Sequence, residues 1–475
     1  MTSSPSATDV DVAIIGAGWA GLAAAVNATQ AGHKVALFDS APQAGGRARK
    51  STVRFAPRCE VNLDNGQHLL IGAYKECVAL INKVGGQTLQ RSSMRLQSTS
   101  GLDIASIAPT GILKLLPASF LRGLGFCLAK GLTVSDKVSI SAMLARLQWS
   151  KWQAKSEAQS VSNLLKEFKQ SDSVQKNFWL PLCMATMNTP AETADAATFC
   201  RVLRDSLGSA DHDASDFLTP LTHLGAAFPD AALHWLGQCA GNSCAIYLRT
   251  TVLSLLRSRS LWALNNNVHA RHVIIALPPS NTARLLESVR DQTAPVLPAP
   301  ALHLTLAGQT AIDMLNGFNY LPIATIYLAW RSHQTLPSML MLNDDRASGS
   351  PGQWLFSRGL HQTEIGSVTI AAIVISAWDS TATGLDSNQA LADAVKRQVS
   401  FEANLPMADY ATVIVEKRAT FACTAGRPRF NAQSLKKEPA FENIWLAGDY
   451  CYSDYPATLE GAVRSGIAAA SQIKA

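Results

Sequence analysis

Val10-Asp11-Val12-Ala13-Ile14-Ile15-Gly16-Ala17-Gly18-Trp19-Ala20-Gly21, continuing to Gly32-His33-Lys34-Val35-Ala36-Leu37-Phe38-Asp39, is the stretch that decides the fold. Val10 to Ile15 is an apolar run of the length expected for a buried parallel strand. Gly16, Gly18 and Gly21 follow at the spacing of a dinucleotide fingerprint. The first permits a tight turn, the second lets a pyrophosphate approach the backbone, and the third lets the next helix lie close on the strand. The pattern predicts that helix over Leu22–Ala31, stopped by Gly32. Its free N–H groups and positive dipole end would face the phosphates. A second strand, Lys34–Phe38, ends on Asp39, an acid placed to accept from a ribose 2′-OH. Taken in this order, the pieces read as a dinucleotide-binding unit rather than a Gly-rich turn.

Just beyond lies Gln43-Ala44-Gly45-Gly46-Arg47-Ala48-Arg49. Two glycines followed by arginines suit a loop that passes under a pyrophosphate and offers guanidinium groups to it. A plain nicotinamide domain does not require this extension. It resembles the flavin-binding pattern of the glutathione-reductase-like superfamily, in the branch with amine oxidases and phytoene desaturases. At the other end of the chain, Asn443-Ile444-Trp445-Leu446-Ala447-Gly448-Asp449 reads as a strand closing on Gly-Asp. Pro456-Ala457-Thr458-Leu459-Glu460-Gly461 then opens a helix. Asp449 suits the ribitol or pyrophosphate side of FAD, and the helix N-terminus near Thr458 suits negative charge on a reduced flavin. Both chain ends would therefore build one nucleotide domain around an inserted substrate domain.

The chain has 475 residues, 47% of them hydrophobic and only 16% charged. The usual charged share is about a quarter, so the surface must be unusually apolar or unusually well buried. The net charge of +6 comes without a long Lys/Arg run, which gives no support for nucleic-acid binding. Nine cysteines are scattered without CxxC spacing and read as buried thiols, while ten histidines form no metal-ligand pattern. Met1–Thr8 reads as a short polar lead rather than a signal peptide, and no uncharged apolar stretch reaches membrane-spanning length. The expected location is cytoplasmic, with contact on the inner face of a membrane left open.

That contact would run through 101–132, where apolar bulk alternates with sparse Lys and Arg. An interfacial segment and a buried helix pair lining a cavity are both open readings. Ser135–Leu207 looks mostly helical, including Lys151–Lys169, where Val161, Leu164, Leu165 and Phe168 fall at helical spacing. Asp211-His212-Asp213 reads as a solvated loop cluster. Ala245–Leu256 and Val268–Leu277 read as strands extending the first sheet, with Val252 near an adenine, and Val368–Ala377 as a substrate-domain strand. The expected divisions are a first FAD-binding part, 1–95; a helical substrate part, 96–223; a second FAD-binding part, 224–300; a mixed-sheet substrate part, 301–414; and a C-terminal FAD-binding part, 415–475. The expected fold class is α/β, a glutathione-reductase-like FAD-binding Rossmann domain with an inserted α+β substrate domain.

The chain resembles the hydroxysqualene dehydroxylases, the squalene-associated FAD-dependent desaturase family, over most of its length. The resemblance rests on Gly16–Gly21, Gly45-Gly46-Arg47, Leu63-Asp64-Asn65-Gly66-Gln67-His68 with Gly72 and Tyr74, and Ser215-Asp216 with Pro220, Phe228-Pro229 and Trp235-Leu236. It continues in Glu416-Lys417-Arg418-Ala419-Thr420-Phe421, Ala447-Gly448-Asp449 and Pro456–Gly466. It implies FAD contacts at Gly16, Ala17, Gly18, Trp19, Ala20, Gly21, Asp39, Ser40, Gly45, Gly46, Arg47, Gly66, Gln67, Val252, Gly448, Asp449, Ala457, Thr458 and Leu459. It also implies a polyisoprenoid substrate, hydroxysqualene, losing its hydroxyl reductively. His68, oriented by Gln67, is the expected acid, with Asp454 second and a satisfied turn histidine the bland alternative. Tyr450–Tyr455 is bulkier than the family pattern, and Cys423 stands where some amine oxidases attach flavin, in surroundings that suit a plain thiol. The rival functions are desaturation or isomerisation of another polyisoprenoid, amine oxidation, and non-catalytic lipid binding.

Overall fold

The computed structural model describes residues 8–107, 109–239, 243–258, 260–265, 268–291, 304–381 and 384–473. Most of the expected polar lead and the expected division at 300/301 lie outside these residues. The fingerprint strand β1 (Thr8–Ile15) pairs in parallel with β2 (Val35–Phe38) on one side and with Val268–Ile275 on the other. Val12 to Ile14 are fully buried, as a strand covered on both faces requires. Cys244–Tyr247 extends the sheet beyond β2, and the strands Leu255–Ser258 and Leu261–Leu264 extend it at the opposite edge. The antiparallel pairs of Leu261–Leu264 make this sheet a mixed one.

Helix α1 (Trp19–Gln30) begins three residues earlier than the sequence pattern suggests, because Gly18 is extended and serves as its N-cap. A Cβ at Gly21 would overlap the carbonyl oxygen of Gly16, so only glycine lets α1 lie this close to the turn. The chain's C-terminal end completes the unit. Ile444–Leu446 pairs in parallel with the second half of Val268–Ile275, and the helix Leu459–Ala470 packs along α1. Helix α2 (Lys75–Lys83) is capped from that helix. The fully buried Glu460 accepts from the backbone N–H groups of Glu76 (3.1 Å) and Cys77 (3.0 Å) and receives Arg464 Nε at 2.7 Å.

The second sheet has the order Met339–Met341, Trp354–Thr363, Gly366–Ser376, Tyr320–Trp330 and Tyr410–Phe421. All its pairings are antiparallel, so the mixture of pairings expected over 301–414 lies in the first sheet instead. Alternation along Tyr320–Trp330 serves both faces. Ala324, Ile326 and Leu328 pack with Leu391, Val395 and Val399 of the helix Asn388–Glu402, and Tyr327 and Ala329 pack with the ribbon Lys50–Asp64. The expected division at 414/415 falls inside Tyr410–Phe421. The charged run Glu416-Lys417-Arg418 sits on an edge strand, where exposed charged side chains are tolerated, and the ladder bulges there: Glu416 pairs with Ile323 and Thr420 with Leu321.

Four helices stand over this sheet: α3 (Ala118–Leu128), α4 (Val134–Trp149), α5 (Leu180–Met187) and α6 (Ala196–Ser206). The helix expected over Lys151–Lys169 shrinks to Val161–Glu167, started by the Ser160 hydroxyl accepting from Asn163 N–H. Lys151 and Trp152 both take positive φ and break the path from α4. Asn188, the left-handed cap of α5, donates to Leu321 O and Thr420 Oγ1 and accepts from Ala377 N–H, which ties the helical layer to three strands.

Replacing Glu460 with Ala strands two backbone donors and a guanidinium. The expected loss is on the order of 3 kcal/mol of unfolding free energy in urea, with a smaller loss for Glu460→Gln. An unchanged midpoint in Glu460→Ala would remove this residue from its capping role.

Candidate cofactor cradle and substrate cavity

The turn Gly16-Ala17-Gly18 joins β1 to α1, so the free N–H groups of the first helical turn face the loop that follows β2. Asp39, at the end of β2, accepts from Ala17 N–H at 2.6 Å and from Ala41 N–H at 2.8 Å, and each oxygen keeps a lone pair for a ribose hydroxyl. Ser40 beside it is exposed. Thr250 and Arg249 donate through their backbone to Asp39 O and Ala41 O, which brings Val252 close to this loop, although its side chain packs in the core. The second loop is strapped to the first: Gly45 N–H donates to Ala17 O at 2.8 Å, and Gly18 bridges Gly45. A Cβ at Gly46 would crowd Gly18 Cα at 3.2 Å, so the space between the loops is kept free of side chains. Trp19 and Ala20 offer only backbone to a ligand here. The Trp19 ring is turned inward, its Nε1 donating to Ala48 O and its face lying against Phe228.

Arg47 and Asp449 form the middle of the cradle, 2.8 Å apart, with Arg47 Nη1 donating to Ala419 O. Burial alone would lower the Arg47 pKa, but the Asp449 carboxylate outweighs it and the guanidinium stays charged. Gly448 N–H donates to Ser465 Oγ, which fixes Asp449 at the end of its strand. Ala457 takes a left-handed conformation (φ 58°) that leads into Thr458, whose Oγ1 caps the helix Leu459–Ala470 by accepting from Gly461 N–H. Leu459 is the first helical residue and packs against the nucleotide core.

The third wall is Asp64–His68. Asp64 Oδ1 accepts from Leu224 N–H at 2.6 Å, its carbonyl accepts from Tyr327 O–H, and Arg358 lies 3.7 Å from Oδ2. Burial pushes the Asp64 carboxyl up to about 6, with Arg358 opposing. Gly66 and Gln67 lie over the second sheet, where Gln67 N–H donates to Thr325 Oγ1. Gln67 Nε2 donates to His68 O, whereas Gln67 Oε1 is buried with no hydrogen-bond partner among the described residues. His68 Nδ1 faces Gly66 O at 2.7 Å, and burial lowers its pKa, so the ring is neutral near pH 7. His68 does not line the cavity described next, and Gln67 does.

That cavity, of about 270 Å³, lies between the helical layer and the second sheet, with Gln67 and Thr458 of the cradle in its wall. Its wall is largely apolar, with Phe126 from α3, Phe178, Leu182 from α5, and Ile323, Trp354 and Phe356 from the sheet. At the Thr458 end, Tyr455, Asp205 and Asp454 line it. The Asp205 carboxylate adjoins the Tyr455 hydroxyl, and burial first, then that carboxylate, push the phenol up to about 12. Arg204 grips Asp205 through two contacts of 2.6 and 2.9 Å, and the Arg464 guanidinium lies 4.9 Å from the Tyr455 ring centre. Asp454 is more than half exposed and faces Arg201 at 3.9 Å.

The bulky stretch Tyr450–Tyr455 divides between the core, at Tyr450, and the cavity wall, at Asp454 and Tyr455. Tyr450 is buried with its hydroxyl against Thr282 Oγ1, and Tyr452 stacks with Tyr455 beside Arg464. Cys423 is buried in the core, where desolvation pushes its thiol up to about 12 and away from reactivity. Asp211 and Asp213 form ion pairs with Lys75 and Arg91 at the surface. Sequence reasoning missed Asp205. Its one local signal is an acid on α6 two turns beyond the apolar Phe199 and close to the buried Leu203.

A cradle of side-chain-free loops, a helix N-terminus, a ribose-ready acid and a buried Gln carbonyl without a partner fits a dinucleotide whose ring system ends beside Gln67 and Thr458. In comparisons with known proteins, the family model described as flavin containing amine oxidoreductase matches residues 19–474. The chain is 24% identical to a hydroxysqualene dehydroxylase of Zymomonas mobilis, covering 96% of this chain and 97% of that protein. It is 24% identical to another from Rhodopseudomonas palustris, with 98% of each covered. Among solved structures, a putrescine oxidase variant superposes with a TM-score of 0.66 over 98% of this chain and 99% of that one, at 14% identity, a likeness of fold alone.

Asp64 gives this site a pH signature. Its pKa rises from an ordinary 3.8 to about 6 on folding, so the folded chain binds this proton more tightly. The associated stability is fully present below pH 3.8 and is lost as pH rises through about 6, a change on the order of 3 kcal/mol. Asp64→Asn is expected to flatten urea stability across that window. An unaltered slope would assign the pH dependence elsewhere.

Proposed function

We propose that this chain, which belongs to the flavin-containing amine oxidoreductase family, removes the hydroxyl group of hydroxysqualene reductively and so supplies squalene for hopanoid synthesis. It is an FAD-dependent oxidoreductase. The observation that carries the substrate reading is the apolar cavity that meets the cradle at Gln67 and Thr458 and has its polar groups gathered at that end. Asp205 and Asp454, carboxylates in the cavity wall, each already face an arginine, so neither stands free for an ammonium group. A neutral polyisoprenoid needs no such carboxylate.

Bound and reduced, FAD supplies the hydride for a carbon that loses its hydroxyl. The chain's own residues must seat that carbon, exclude water and protonate the departing oxygen. The Phe, Leu and Trp wall holds the hydrocarbon and keeps the site dry. Tyr455 is the group we assign as acid, in place of the neutral His68, which does not line the cavity. At about 12 its phenol is still a far stronger acid than water at about 15.7, so a proton moves downhill onto oxygen as the C–O bond breaks. Water leaves, and the phenolate is countered by Arg464 and Arg204. Gln67, with its unpartnered carbonyl, orients the ring system or the substrate hydroxyl. Thr458 and the helix behind it face the cofactor's electron-rich end.

The test is anaerobic. Holoprotein reduced with dithionite and given hydroxysqualene is expected to recover oxidised flavin absorbance while squalene appears in the lipid extract. Flavin that stays reduced over unchanged lipid would overturn the reading. In the same assay Tyr455→Phe is expected to retain FAD and slow reoxidation on the order of a hundredfold, while His68→Asn slows it by less than about tenfold. The reverse ranking would return the acid role to His68.

A further inference from the structure

Helix α3 has two apolar faces. Phe126 is buried and lines the cavity, whereas Phe120, Leu124 and Leu128, at intervals of four residues, point outward with 55%, 37% and 67% of their surface exposed. The row continues in both directions: Leu115 precedes it, Val134 and Val138 follow on the first turns of α4, and Trp149 ends α4 at 90% exposure. Exposed apolar side chains in this number are costly in water. The orientation of α3 is fixed by the buried Arg122, whose guanidinium donates to the carbonyls of Leu207, Ser209 and Asp211. Leu207 also lines the cavity, so the same clamp sets the outward row and the inner wall.

The sequence around this patch is predominantly basic, although Arg122 is buried and Lys155 pairs with Glu167. Between Ile104 and Ser156 the sequence holds seven Lys and Arg and a single acid, Asp136. Asp136 is itself buried in the capping box of α4, where it accepts from Thr133 N–H and Ser171 O–H. An outward apolar row flanked by a surplus of basic residues matches an anionic bilayer: hydrocarbon inside, phosphate at the rim, a tryptophan at the boundary. The expected span 101–132 shifts accordingly, since Asp103–Ala105 pairs with Arg95–Gln97 as a strand while the exposed row runs from Leu115 to Trp149.

We propose that the outward face of α3 and the start of α4 dock on an anionic lipid bilayer, and that the polyisoprenoid enters the cavity from the bilayer past α3. The entry route rests on the substrate reading above; the docking does not.

The experiment uses FAD-loaded full-length protein and sedimented vesicles of phosphatidylcholine, alone or with roughly one third phosphatidylglycerol. The wild type is expected to sediment with the anionic vesicles and much less with neutral ones. The triple variant Phe120→Ser, Leu124→Ser, Leu128→Ser is expected to lose at least about tenfold in partitioning. Its flavin spectrum and thermal midpoint report whether it is folded. Its turnover should match the wild type in detergent and fall on vesicles. Wild type that stays in the supernatant, or a folded triple variant that partitions as wild type, overturns the docking. So does a wild-type dimer that the triple variant dissociates without vesicle binding, which would give the face to a second copy. If the wild type sediments but forms no squalene from hydroxysqualene, the substrate reading and the entry route fall while the docking stands.

Discussion

Everything in this molecule that meets the cofactor depends on the chain closing its first sheet with its own C-terminus. Ile444–Leu446 docks on Val268–Ile275 and carries Asp449 to Arg47, two residues about four hundred positions apart that form one ion pair. The helix that follows is held to α1 so closely that a Cβ at Gly466 would overlap the Ala20 carbonyl. Its Glu460 reaches across to cap α2. Without this closure Thr458, Tyr455 and Asp454 would have no fixed relation to Gly18 or Gln67, and the cavity would lose its polar end.

The low charge content has a structural counterpart in two places. One is the cavity, where Phe126, Phe178, Trp354 and Phe356 serve as part of the core and as a wall at once. The other is the outer face of α3 and α4, where similar residues stand in the open. A single helix serves both, so substrate chemistry and surface chemistry are coupled through the Arg122 clamp.

Local signals carried much of the nucleotide domain. The strand, the glycines and the acid at Asp39 stand where their spacing puts them, because each is a requirement of one short turn. The same holds for the cap at Thr458. Other features arise only from contacts between distant segments. Asp205 becomes a site residue because α6 meets a loop some 250 positions later, and no pattern within Arg201–Ser206 announces Tyr455. His68 looked like an acid because histidine titrates near neutrality, yet the fold buries it and turns it to Gly66 O. The division expected at 414/415 falls inside Tyr410–Phe421, whose place at the sheet edge is invisible without the register. Trp19 looked like a ligand contact from its place in the fingerprint, but its ring faces Phe228.

The measurement that bears most directly on this account is a crystal structure of the FAD-loaded protein with hydroxysqualene bound under oxidised, non-turnover conditions. The account predicts hydrocarbon between Phe178 and Trp354, with the hydroxyl within hydrogen-bonding distance of Tyr455 and the carbon bearing it against the flavin. Lipid bound outside this cavity, or a hydroxyl turned away from Tyr455 toward His68, would contradict it.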